Sequence, residues 1–270
     1  MILARVRRTL DERELAPRGA RVLVGCSGGP DSAALLHALA RIAPERELSL
    51  FAASVNHGLR PDADRDVEAA GALASSLDVP FAALRVEVKR EGSLQAAARE
   101  ARYAALHAEA ARVGASRVAV GHTQDDQAET VLSRLLRGVG VIGLASIDPA
   151  REDGVIRPLI DCPREDVRAH VARHGLPHVE DPSNADPRFE RVRLRALLPT
   201  LREEDPRVIE HLARLADEAR GLAALVSDEE PEARLPVAPL AAAAPLGRRA
   251  RLSRWVEARS GRPAKRAHLD

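Results

Sequence analysis

Short apolar runs alternate along the chain with longer segments in which apolar residues return every three or four positions. The runs Arg21 to Cys26, Leu48 to Val55, Phe81 to Val88 and Arg117 to Val120 read as strands, and 32–43, 63–77 and 94–113 read as helices between them. That alternation predicts an α/β fold, a parallel sheet covered on both faces. A helix over 3–15 leads in. After the fourth strand, Thr123 opens a helix with an apolar stripe of Val131, Leu132, Leu135 and Leu136. A short edge strand follows over Val155 to Ile160, then a helix over 163–174 begun by Pro163 and stopped by Gly175. From about residue 200 the composition turns to Ala, Leu, Arg and Glu, with helices over 206–226 and 246–259 and a linker from Glu229 to Pro245. Two parts are therefore expected, an α/β domain over 1–200 and a small helical appendage over 201–270. The last residues, Arg266 to Asp270, start an apolar pattern that is not continued, which suggests a short or truncated form.

Composition narrows the class only a little. Hydrophobic residues are 45% and charged residues 30%, which suits a globular core rather than disorder or membrane spans. Basic residues number 41 and acidic 40, so no overall field draws in nucleic acid and RNA binding must come from local patches. All but Lys89 and Lys265 of those basic residues are arginine, a bias that a nucleic-acid preference would produce but that GC-rich codon usage explains more simply. Cys26 and Cys162 are far apart and form no CxxC pair, so neither a disulfide framework nor a zinc or iron–sulfur site is suggested. Met1 to Leu15 is broken by charges, so no signal peptide, transmembrane span or membrane partner is expected, and a cytoplasmic location is.

The chemistry gathers where strands end. Ser27-Gly28-Gly29-Pro30-Asp31-Ser32 is a tight strand-to-helix turn. Two glycines let backbone N–H groups approach a ligand, and the unpaired amides of the following helix favour phosphate. Ser27 and Ser32 can donate hydroxyl hydrogen bonds. Asp31 can face a polyanion only across a cation, which points to magnesium. The Lys-Ser/Thr ending of a Walker A loop is missing.

Further candidates carry plain structural explanations beside the functional ones. Asn56-His57-Gly58-Leu59-Arg60 closes the second strand, where His57 is either an ordinary loop histidine or a nucleotide contact. Pro61, Asp62 and Asp64 suit a helix start. Arg99 and Arg102 share a helix face, as on any solvated helix, yet beside a polyphosphate such a fork offsets developing charge. In Gly121-His122-Thr123-Gln124-Asp125-Asp126-Gln127-Ala128-Glu129-Thr130, Thr123 and Asp126 read as a capping pair. First-turn acids often serve only the helix dipole, which covers Asp125. Asp126 and Glu129, on one face, could hold magnesium or the ammonium of an amine substrate. Gly138 to Gly143 matches GxGxxG but follows a helix, so it reads as a flexible loop near the site rather than a dinucleotide motif. Over 180–195 a turn leads into a helix in which Arg188, Arg191 and Arg195 form a stripe, either a solvated face or a grip on phosphate backbone.

The turn at Ser27 to Ser32 resembles the SGGxDS loop of the PP-loop, or N-type, ATP pyrophosphatases. Taken with Asn56 to Arg60, Ala98-Arg-Glu-Ala-Arg-Tyr103, Gly121 to Thr130, Arg137 to Leu144, Arg157-Pro-Leu159 and Glu180-Asp-Pro-Ser-Asn184, it resembles the bacterial tRNA(Ile)-lysidine synthetases over about residues 20 to 198. Two departures stand out: Gln95 where the family has Glu, and Val192 where it has Asn after the arginine. The resemblance implies a Rossmann-like PP-loop domain of the adenine nucleotide α-hydrolase type. It implies a ligase for which ATP is a substrate and Mg2+ a cofactor. The wobble cytidine of tRNA(Ile) with a CAU anticodon would be adenylated, and L-lysine would then displace AMP. Ser27, Gly28, Gly29, Pro30, Asp31, Ser32, Asn56, His57 and His122 would line the ATP site. Asp31, Arg102, Asp126, Glu129 and Arg191 would be catalytic, with Asp31 and Asp126 as magnesium ligands and Asp126 and Glu129 alternatively orienting the lysine ammonium. A same-fold rival is a tRNA thiolation enzyme, against which the missing CxxC argues; another is a catalytically silent nucleotide-binding adaptor. Oligomeric state is not legible, a homodimer being one option.

Overall fold

The computed structural model describes residues 2–58, 63–87, 94–180, 186–225, 237–242 and 244–260. Five strands, β1 (Arg21–Gly25), β2 (Ser49–Asn56), β3 (Phe81–Arg85), β4 (Arg117–Ala119) and β5 (Val155–Ile156), form one sheet in the order β3-β2-β1-β4-β5. All four pairings are parallel. The helices are α1 (Ile2–Glu12), α2 (Pro30–Arg46), α3 (Ala63–Ser76), α4 (Leu94–Val113), α5 (Gln124–Leu136), α6 (Arg164–His174), α7 (Glu190–Glu204), α8 (Val208–Leu225), α9 (Val237–Ala242) and α10 (Pro245–Ser260). The expected parallel α/β sheet is what the chain forms, with β5 at its edge.

The strands bury alternate residues into two layers, as a pleat with period two requires. Val22, Val24, Ala119 and Ile156 join a core with α1, α2, α3 and α6. Leu23, Ala53, Val118 and Val155 face Tyr103, Leu106 and Ala110 of α4. β1 is central, and the chain winds outward from it first through β2 and later through β4. Such a reversal leaves a crevice beyond the carboxyl ends of the strands.

The chain divides into two compact units within α5, between Asp126 and Gln127. The first comprises 1–126 and 148–186, which holds the sheet. The second comprises 127–147 and 187–270, and its described core joins Ala128 and Leu132 of α5 to Leu198 and Leu201 of α7 and Ile209 and Leu212 of α8.

Several local features differ from the sequence expectations. The stripe on α5 is narrower than its four apolar residues suggest: Val131 is buried, but Leu136 is 72% exposed. Val141–Leu144 is a 3-10 turn rather than an irregular loop, and Arg134 holds it by donating to the Gly143 carbonyl at 2.5 Å and the Ala145 carbonyl at 2.9 Å. Arg188 precedes α7, so the stripe on that helix begins at Arg191. A short helix, α9, stands inside the expected linker. Leu59 to Asp62, Val88, Lys89, Ser93, Asp181 to Asn184, Glu229 to Pro236, Lys265 and Arg266 to Asp270 lie outside the described residues, as does the side chain of Gln95. Among the described residues no helix is long and apolar enough to cross a membrane.

Candidate functional site

β1 runs straight into the glycine turn. Gly28 adopts φ +78°, and a Cβ there would stand 2.7 Å from the Asp66 Cα and carbonyl oxygen on α3. Glycine is therefore required twice, for the left-handed backbone and for close approach. The Gly28 carbonyl accepts from the Val179 amide at 2.8 Å, which ties the turn to the segment after α6. Gly29 has the opposite surroundings: a Cβ would meet only the Ser27 Oγ, at 3.6 Å. Space is thus open directly before α2, whose N-cap, Gly29, offers no side-chain cap. A helix N-terminus without a side-chain cap suits phosphate through the partial positive charge of its amides.

The two serines brace this turn from within. Ser32 Oγ accepts from the Ser27 amide at 3.1 Å and donates to the Gly29 carbonyl at 2.9 Å, while Ser27 Oγ lies 3.2 Å from it. Pro30 and Asp31 occupy the first turn of α2. On the β2 side, Asn56 forms an Asx-type turn: its side-chain oxygen accepts from the Gly58 amide at 2.7 Å, and its amide donates to Asp64 at 2.7 Å. His57 sits half-buried in that turn.

The exit of β4 is packed against the same turn. A Cβ on Gly121 would stand 3.1 Å from the Asp31 carbonyl carbon and oxygen and 3.2 Å from the Ser32 nitrogen. The small residue lets the loop bearing His122 lie beside the start of α2. His122 Nδ1 accepts from Arg157 Nε at 3.3 Å, which fits a neutral ring protonated on Nε2. Arg157 is buried and also donates to the Asp148 carbonyl. Burial, chiefly, holds the Arg157 pKa below its ordinary value, with Arg151 and Arg99 adding to the effect against Tyr103. Arg102 is lowered in the same way by burial, with Tyr103 opposing and Arg99 adding.

The acidic candidates are already clasped. Asp126 Oδ2 accepts from the Thr123 amide at 2.7 Å and its hydroxyl at 3.1 Å, the expected capping pair, while Oδ1 accepts from Arg164 at 2.5 Å. Asp125 Oδ2 accepts from the Arg164 amide at 2.8 Å and so caps α6. In the second unit, Glu129 is 1% exposed and receives Arg191 Nε at 2.7 Å and Arg195 Nε at 2.9 Å. Two guanidinium groups of α7 thus share one buried carboxylate. Arg164, Arg157 and Arg195 are thus the side chains that organise the acids and His122; only the Arg195 stripe and the Arg157-Pro-Leu159 run were visible beforehand.

A magnesium ion takes one or two carboxylates and completes its shell with water and substrate phosphate. Asp31, on the first turn of α2 beside the open space over Gly29, fits that habit. Asp126 fits it less well, because Arg164 occupies the oxygen that a cation would need. Among the described residues no group of three or more His, Cys, Asp or Glu is arranged to hold a metal.

The PP-loop domain family matches residues 3–201. A tRNA(Ile)-lysidine synthase of Symbiobacterium thermophilum is 43% identical over 227 residues, 80% of this chain and 47% of that protein. Another, of Salinispora tropica, is 40% identical over 263 residues, 92% of this chain and 79% of that protein. Among solved structures, the U34-tRNA thiolase NcsA of Methanococcus maripaludis, with its 4Fe-4S cluster, superposes at a TM-score of 0.69 with 20% identity, covering 82% of this chain and 78% of that one. The last likeness is one of fold. The chain spans 47%, 54% and 62% of three of the curated relatives it matches. By the PP-loop match over most of its length, and by its identity to the Salinispora protein across most of both chains, this chain belongs to the PP-loop family and within it to the tRNA(Ile)-lysidine synthases.

Proposed function

We propose that this chain is an ATP-dependent ligase that adenylates the wobble cytidine of a CAU-anticodon tRNA(Ile) and then joins lysine to it. The observation that carries the reading is the glycine turn at the end of β1: it leaves open space before an uncapped helix and packs against the exit of β4, which bears His122. Within it, the amides of Gly29 and the first turn of α2, with Ser27 and Ser32, bind the β- and γ-phosphates. Magnesium held by Asp31 would neutralise the departing pyrophosphate. Asn56 and His57 bound the nucleotide on the β2 side, and His122 bounds it on the β4 side.

Cytidine O2 attacks the α-phosphorus, and the bond to pyrophosphate breaks. The lysine ε-amine, having lost a proton, then bonds to C2 as the C2–O bond to AMP breaks. Arg102 and Arg191 offset negative charge during these transfers. Glu129 is the ammonium acceptor of this scheme and Asp126 orients the loop through Thr123, each in a water-poor setting where a misplaced charge is costly.

Thiolation is disfavoured by the cysteines themselves. Both are buried, and burial pushes the Cys26 and Cys162 thiols up to about 12, so neither supplies a thiolate near neutral pH. The test is mass spectrometry of nucleosides from CAU-anticodon tRNA incubated with the chain, ATP, magnesium and lysine. Lysidine and an equal amount of pyrophosphate are expected. An unchanged cytidine, or one carrying sulfur, overturns the reading.

A further inference from the structure

Tyr103 is 8% exposed and is the single tyrosine of the chain. Three guanidinium groups surround its ring, Arg99 at 5.1 Å, Arg102 at 5.6 Å and Arg151 at 5.0 Å from guanidinium carbon to ring centroid. Arg157 lies beside them, close enough that Arg99 and Arg151 depress its protonation and the Tyr103 hydroxyl supports it. Arg151 pairs with Asp153 at 2.6 Å, a carboxylate shared with His107 at 3.2 Å. Among the described residues neither Arg99 nor Arg102 has an ion-pair partner. A ring quadrupole offsets one cation by about 0.5–1 kcal/mol at an exposed site and about 2 kcal/mol when desolvated. Among the described residues, three cations around one ring have a single aspartate between them.

The cluster has a direction. Arg157 is buried just past the end of β5 and touches His122 at the end of β4. Arg151 is exposed in the hairpin that leads into β5, whose Ala150 bridges Ile156. Arg99 is exposed on α4. The row therefore runs from the strand ends that flank the glycine turn to the edge of the sheet. A free nucleotide finds its phosphate donors at the turn on β1 and has no use for cations at that edge. A polymer with one charge per residue does.

We infer that Arg99 and Arg151, held with Arg102 around the Tyr103 ring, form a clamp for the RNA phosphates flanking the base that enters the site. The inference rests on the proposed tRNA reaction and names the surface that grips its substrate. Guanidinium groups held against a ring are partly pre-ordered, and each bidentate phosphate contact adds affinity without reading sequence.

Unmodified CAU-anticodon tRNA is titrated against the 270-residue chain and its Arg99→Gln and Arg151→Gln variants from low to moderate salt. Both positions are exposed, and a thermal melt checks that each variant folds. Each substitution is expected to raise the tRNA Kd about tenfold at low salt and to reduce the slope of log K against log salt by about one. Tyr103→Leu, which keeps every charge, is expected to raise Kd less and leave the slope in place. Unchanged Kd and slope in both arginine variants overturn the inference, as does failure of the unaltered chain to bind this tRNA. Weakened ATP binding with intact tRNA binding also overturns it, since the cluster would then serve the nucleotide. If the chain binds tRNA through these arginines but forms no lysidine, the clamp stands and the proposed reaction fails.

Discussion

Asp66 sits against Gly28 so closely that a methyl group on Gly28 would lie 2.7 Å from its Cα and its carbonyl oxygen. Both obstacles are backbone and cannot rotate away. With φ at +78°, Gly28→Ala would combine left-handed strain and overpacking, a cost of about 2–4 kcal/mol. Urea denaturation should show that loss. ATP binding should fall further than the loss of folded protein explains, because α3 and the phosphate turn must separate.

Asp126 and Arg164 form a buried pair, 6% and 12% exposed, at 2.5 Å. Removing one member leaves the other charge uncompensated, which costs about 3 kcal/mol. Asp126→Asn should therefore lower the melting temperature as well as nucleoside conversion. A double-mutant cycle with Arg164→Gln should return a coupling above about 1 kcal/mol. A coupling near zero would remove Arg164 from the account of this carboxylate.

Glu129→Gln leaves Arg191 and Arg195 facing a neutral amide. The lysine KM is expected to rise at least about tenfold while the ATP KM changes little, since an ammonium would lose its one charged acceptor there. Steady-state kinetics varying each substrate in turn separates the two. An equal rise for both would assign Glu129 to packing of α7 rather than to lysine.

His37 on α2 and His170 on α6 are joined by a 2.9 Å hydrogen bond, with the His174 ring 4.6 and 4.5 Å away. Burial above all, then neighbouring positive groups, lowers both pKa values from 6.5 to about 4. Above pH 6.5 neither folded nor unfolded chain protonates them, and their packing is fully stabilising. Between about pH 6.5 and 4 the unfolded chain binds protons that the folded chain refuses, so stability falls as pH falls, by up to about 1.4 kcal/mol per pH unit for each histidine. Replacing both with leucine should flatten the urea midpoint across that window. A midpoint that stays as steep would mean that other groups govern the acid limb.

The elements were legible because hydrophobic periodicity is local. The 94–113 pattern is α4 residue for residue, and Gly175 ends α6 in the left-handed conformation its lack of Cβ allows. The glycine turn was legible for a similar reason, since its two glycines, one proline and two serines act over six residues. Leu135 and Leu136 mark the limit of such reasoning. Their spacing is that of a buried stripe, yet the described apolar core shared with α7 and α8 takes Ala128 and Leu132 from this helix and not these two leucines.

What the chain's order of residues determined alone was the sheet, its crossover helices, and a glycine turn without a lysine at the end of β1. Only the tertiary structure decided what each charge does. Asp126 finds Arg164 at a separation of 38 residues, and Glu129 finds Arg191 at 62. Three arginines from two elements converge on Tyr103. Backbone conformation is fixed by neighbours in sequence, whereas a buried charge is stabilised by whichever opposite charge or ring the fold brings within a few ångströms. No local pattern records that choice.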